Sequence, residues 1–171
     1  MVGQELASRW GLKWGRDRFR ARIAEGRACV EGAGGPRVAV LLPQTLMNDA
    51  GRSVGPARGS FKLGLDRVVV AHDEIDIPFG EVRTRVGGGL AGHNGLKSLK
   101  RELGSGDFLR VRGGVGRPDS TDPEIVSAWV LGRFRESPAE VSGLVARMCE
   151  AVEALVLSGA GEADKAAAGG S

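Results

Sequence analysis

Apolar and polar positions along the chain sort into short runs of two periods, one suited to strands and one to helices. Val68, Val69, Val70 and Ala71 are four apolar residues in a row. They predict a buried strand, because β-branched side chains suit a pleated surface covered on both faces. Pro78 stops this strand and Gly80 turns the chain. Residues 81–86 alternate charged with smaller or apolar side chains and predict a second strand. Residues 37–42, RVAVLL, predict another buried strand ended by Pro43, and residues 108–115, FLRVRGGV, one more. Residues 19–30 alternate as well and predict a hairpin with its turn at Glu25-Gly26.

The remaining periodic stretches are helical. Residues 4–10 read as the tail of an amphipathic helix stopped by Gly11. That helix begins at residue 1 or 2, with no cap and no strand before it. Thr45 is a plausible N-cap for a helical segment running to about residue 63, weakened by Gly51, Gly55, Pro56 and Gly59. Residues 94–103 form a clear helix ended by Gly104, and 124–131 a short one. Residues 138–157 carry Val141, Leu144, Val145, Met148, Val152, Leu155 and Val156 on a helical period, as a helix covering a sheet would. Strands alternating with helices predict an α/β layered domain over residues 1–159. Residues 160–171 are small and polar and predict a flexible tail.

Composition narrows the class without deciding it. At 171 residues, 42% hydrophobic and 26% charged, the chain is that of one ordinary soluble domain. It has no apolar run near the roughly 20 residues of a membrane helix and no basic-then-apolar start, so a cytoplasmic setting without membrane contact is expected. Cys29 and Cys149 lack metal-type spacing, and with two histidines a zinc site is not expected. Lys and Arg number 24 against 21 Asp and Glu, a net charge of +3. Most of the cations are arginines, whose forked guanidinium suits phosphate, although so small an excess also fits a merely soluble surface.

The chemistry-bearing side chains concentrate in residues 68–95. His72, Asp73, Glu74 and Asp76 crowd the C-terminal end of a strand, facing Gly87-Gly88-Gly89 and then Gly92-His93-Asn94-Gly95. In open α/β sheets ligands bind outside the carboxyl ends of strands. A flexible linker with its charges in water is the plainer alternative. The helix beginning at Asn94 offers free backbone N–H groups to an anion or a carbonyl oxygen. His72 points to the face opposite Asp73 and is read as structural. GGGLAGHNG lacks the Lys-Ser/Thr pair of a Walker A loop and the dinucleotide spacing, which argues against a nucleotide site.

Three motifs stand in order: Pro43-Gln44-Thr45-Leu46-Met47-Asn48, Ala71-His72-Asp73-Glu74-Ile75-Asp76-Ile77-Pro78-x-Gly80, and Gly87-Gly88-Gly89-x-x-Gly92-His93-Asn94-Gly95-Leu96. With the later Phe108-x-Arg110-Val111-Arg112-x-Gly114-Val115-Gly116-Arg117-Pro118, they resemble the bacterial peptidyl-tRNA hydrolase family. The resemblance implies a single three-layer α/β/α domain around a twisted mixed sheet. It implies cleavage of the ester between a peptide and the 3′ ribose of tRNA, in a monomer using no metal or cofactor. A His acts there as general base on water and an Asp orients it. Asp73 matches the orienting Asp, and His93 and Asn94 the His and Asn of the glycine motif. Asn48 matches the residue that binds the substrate end, and Met47 lines the same pocket. Leu46 replaces an aromatic that meets the tRNA terminus. Arg85 and Arg112 fall where basic residues meet tRNA phosphate.

These residue types suit the reaction. Ester hydrolysis needs a base for water, donors for the oxyanion and a hold on the substrate. Neutral amides of Asn48 and Asn94 both donate and accept, and arginines supply sequence-blind affinity for a nucleic-acid backbone. By the resemblance, a first central strand, a GLGNPG-type loop and the segment carrying the catalytic His fall upstream of Met1. On that ground the first central strand is expected to be missing, the chain to be poorly stable and hydrolysis to be doubtful. A tRNA- or RNA-binding relative without catalysis is the alternative, and an enzyme using His93 as its base a third possibility.

Overall fold

The protein is described from a computed structural model covering residues 1–30 and 33–158. The strands and helices fall largely where periodicity places them. Helix α1 spans Val2–Arg9, followed by β1 (Lys13–Trp14), β2 (Ala21–Val30) and β3 (Ala33–Pro43). A 3₁₀ turn (Met47–Asp49) leads into α2 (Gly51–Phe61), and a second (Leu65–Arg67) into β4 (Val69–Glu74). Then come β5 (Val82–Val86), α3 (Asn94–Leu103), β6 (Leu109–Gly114), α4 (Pro123–Leu131) and α5 (Pro138–Ser158). The tail expected over 160–171 lies outside the described residues.

The layering is α/β/α, but the sheet is in two parts. Strands β1-β2-β3 form one three-stranded antiparallel sheet and β4-β6-β5 a second, with β4 parallel and β5 antiparallel to β6. Helix α5 bridges both sheets, touching β2 through β6, and α1 packs beside it. Their shared core holds Leu6, Trp10, Val111, Leu144, Met148, Cys149, Val152 and Leu155. On the other side α3 buries Leu96, Leu99 and Leu103 with Phe108, and α2 packs on α3. The apolar run at 68–71 is therefore not buried on both faces as expected. It lies in an edge strand, where Val69 and Val70 are half-buried and Ala71 is exposed.

Two local expectations are corrected. Glu25 and Gly26 do not turn the chain: both sit inside β2, paired with Ala39 and Val38. Gly26 is needed because the Leu12 side chain lies over it, where a Cβ would stand 2.5 Å from Leu12 Cδ2. The turn into β2 is instead Phe19-Arg20, with φ of 53° and 54° and backbone hydrogen bonds in both directions between Arg18 and Ala21, the mirror-image hairpin turn. Thr45 caps nothing, and its buried hydroxyl has no hydrogen-bond partner among the described residues. Helix α2 instead starts against α3, with Gly51 N–H donating to Ser98 Oγ at 2.9 Å.

Candidate active site

The site forms where β4 ends, α3 begins and the 3₁₀ turn crosses them. Alternation along β4 buries His72 and Glu74 while Asp73 stays half-buried on the other side. Residues 87–92 form a loop with positive φ at Gly87, Gly88, Ala91 and Gly92, a backbone course that glycine follows without steric cost. The loop delivers His93 as the cap of α3: its Nδ1 accepts from Leu96 N–H at 3.2 Å. That fixes the ring. With Nδ1 accepting, the proton of the neutral imidazole is on Nε2, which faces Asp73 Oδ1 at 3.6 Å. The His93 N–H beside it holds Asp73 below the usual carboxylate range, against the opposing effect of burial.

The 3₁₀ turn completes the cluster. Met47 lies over Gly95, where a Cβ would stand 2.8 Å from its sulfur and 3.0 Å from His93 Cε1. Met47 is exposed otherwise, as are Leu46, Asn48 and Asn94. Asn48 is not a helix cap, since Leu46 and Ala50 hold the cap positions of the turn and of α2. A cavity of about 460 Å³ opens beside Asp73, walled by Val115, Ile125, Trp129, Arg133 and Phe134 among others. The expected residues Asp73, His93 and Met47 are thus brought together, with Asn48 and Asn94 on the elements that carry them.

Arg85 and Arg112 lie apart from that pair, on the β5–β6 ribbon. Arg85 pairs across the strands with Arg110, and Arg83 with Arg112, so four arginines share one face of the sheet. Arg85 is exposed, and its guanidinium fills the space where Gly88 would carry a Cβ. Arg112 is half-buried, and its Nε is buried without a hydrogen-bond partner among the described residues. Burial lowers the proton affinity of Arg112, Glu74 opposes this, and Arg85 and Arg83 add to it. Sequence reasoning assigned no role to Arg110, whose side chain is buried beneath the glycine loop. The signal was present: a charged residue two positions before Arg112, in a strand whose other neighbours are apolar. Among the described residues no group of three or more His, Cys, Asp or Glu side chains could hold a metal ion.

Comparison with known proteins agrees with this architecture. The family model described as peptidyl-tRNA hydrolase matches residues 1–169. The peptidyl-tRNA hydrolase of Syntrophotalea carbinolica is 42% identical over 164 residues, covering 95% of this chain and 82% of that protein. That of Geotalea uraniireducens is 48% identical over 144 residues, 84% of this chain and 70% of the relative. Among solved structures, the peptidyl-tRNA hydrolase of Acinetobacter baumannii superposes with a TM-score of 0.80 at 31% identity, covering 98% of this chain and 81% of that one. A match of this extent does not bear out the expectation that hydrolysis is doubtful. The chain belongs to the peptidyl-tRNA hydrolase family.

Proposed function

We propose that this hydrolase cleaves the ester bond of peptidyl-tRNA at the Asp73–His93 cluster. The observation that carries the reading is the 3.6 Å approach of His93 Nε2 to the Asp73 carboxylate, with Asp73 lining a cavity. In the reaction water adds to the ester carbonyl, the bond to the ribose 3′ oxygen breaks, and a proton of the water ends on that oxygen. Asp73, kept ionised, orients the His93 ring by facing its Nε2–H. His93 is a donor: its Nε2–H faces the site while its Nδ1 lone pair is committed to Leu96 N–H. That commitment argues against the possibility that His93 is the general base. Asn48 and Asn94 hold the peptide and ribose through their amides, Met47 and Leu46 pack the substrate end, and Arg85 with Arg112 take tRNA phosphate.

The reading places a monomer acting on tRNA in the cytoplasm, and it calls for no metal or cofactor. Sedimentation of the pure protein checks the monomer. Release of the acyl group from an N-acetyl-aminoacyl-tRNA checks the site. Asp73→Asn is expected to lower kcat by about 10²–10⁴-fold while tRNA binding is kept. Full turnover by Asp73→Asn would remove the cluster from the chemistry.

A further inference from the structure

Beneath the glycine loop the sheet buries a cation that no carboxylate among the described residues touches. Arg110 is 1% exposed. Its Nε–H donates to His72 Nε2 at 3.2 Å, and its Nη1 donates to the carbonyls of Gly87 at 3.2 Å and Gly89 at 2.8 Å. Glu74 acts on it only through space. Taking a cation out of water is costly, and here an imidazole and two carbonyls meet it in place of a carboxylate. A hydrocarbon cannot hold two carbonyls of a loop that has almost no side chains of its own.

The partner of this cation is fixed in one protonation state. A guanidinium only donates, so His72 Nε2 must be bare and the ring proton must sit on Nδ1. That N–H donates to the backbone oxygen of Asp73 at 2.7 Å. Burial first, then Arg110 and His93, push His72 down to about 4, against the pull of its bond to Asp73, so the ring is neutral near pH 7. His72 also meets His93 edge-to-face, with ring centroids 5.1 Å apart. Among the described residues the other hydrogen bonds of the loop are Gly87 N–H to Phe108 O at 3.1 Å and His93 N–H to Leu90 O at 2.8 Å. Arg110 is thus the side chain that holds the middle of the loop to the sheet.

We propose that Arg110 and His72 are positioning residues for hydrolysis: Arg110 pins the glycine loop through Gly87 and Gly89, and His72 joins that anchor to the backbone of Asp73, so that His93 is set against the Asp73 carboxylate. This rests on the assignment of hydrolysis to the Asp73–His93 cluster. His72 is the neighbour of Asp73 in the chain and Gly89 lies four residues before His93, so a shift of either anchor reaches the site, and a misplacement of about 1 Å can cost on the order of 10²-fold in rate.

The test combines turnover of N-acetyl-aminoacyl-tRNA with nitrogen-15 spectra of the two imidazoles. Arg110→Met is expected to lower kcat by roughly 100-fold with KM little changed, and to shift the His93 ring resonances. Arg110→Lys keeps the cation and the bulk, but one ammonium cannot reach His72 and both carbonyls. It serves where the Met variant fails to fold, and it is expected to lower kcat as well. His72→Phe should lose activity, whereas His72→Gln should recover it, because its amide can accept from Arg110 and donate to Asp73. In the wild type His72 should show the Nδ1–H tautomer. A folded Arg110→Lys with wild-type kcat and unmoved His93 resonances overturns the proposal, as does a His72 protonated on Nε2. If Asp73→Asn keeps full turnover, the assignment of the site has failed instead. The His93 shift in Arg110→Lys still decides the positioning in that case.

Discussion

His72 carries a consequence for stability that is separate from catalysis. Its folded-state pKa of about 4 lies below the ordinary histidine value of 6.5. Above pH 6.5 the ring is neutral folded or unfolded, and it adds no pH dependence. Between pH 6.5 and 4 the unfolded chain takes up a proton that the folded chain refuses, so stability falls with pH over that window. The loss approaches about 3 kcal/mol at pH 4, at about 1.36 kcal/mol per unit. Arg110 on β6 and His93 at the start of α3 both oppose the charge, and Asp73 favours it. Urea unfolding of His72→Gln should lose most of this acid sensitivity, and an unchanged pH profile would show that the ring titrates freely in the folded protein. Alternation along the strand was enough to place His72 opposite Asp73. It could not reveal the partner, because Arg110 lies 38 positions away and only the pairing of β4 with β6 brings them together.

At the scale of elements, the glycines show where local sequence informs and where it misleads. Helix α3 was legible over its full length, because His93 caps it and Gly104 ends it at φ 76°. The hairpin turn was misplaced because Gly26 resembles a turn residue, while the true turn uses Phe19 and Arg20, neither of which advertises a positive φ. Gly26 answers to the Leu12 side chain, which no local window contains. Helix α2 separates the two roles within one element. Gly51 sits against Ser98 O and Glu102 Cγ of α3, whereas Gly59 has open space around it. Gly51→Ala forces α2 off α3 and should cost about 1–3 kcal/mol, displacing the turn that carries Met47 and Asn48. Gly59→Ala should stabilise by about 0.5–1 kcal/mol, because alanine loses less backbone freedom in a helix. Denaturant midpoints moving in the same direction for both would contradict this account of the contact.

At the scale of the molecule, the distribution of charge matters more than its sum. A net charge of +3 draws polyanions only weakly, but four arginines share one face of the β5–β6 ribbon with Glu74 as their neighbouring carboxylate. Arg85 and Arg83 lower the proton affinity of Arg112, Arg112 and Arg85 lower that of Arg110, and the Nε of Arg112 is buried with no acceptor among the described residues. An anion docking there would relieve both conditions, as the phosphate of a tRNA can. The sequence exposed this patch through the alternation of arginines at 83 and 85 and at 110 and 112. The register that sets Arg83 opposite Arg112 exists only in the folded sheet. A protein that neutralises phosphates releases counterions, so the slope of log K against log salt counts the contacts. Arg85→Gln and Arg112→Gln should each weaken tRNA binding uniformly across tRNA sequences and lower that slope by about 1. Arg37→Gln, exposed on β3 in the other sheet, should leave it unchanged. Equal losses at all three positions would mean that the whole surface, rather than this ribbon, holds the tRNA.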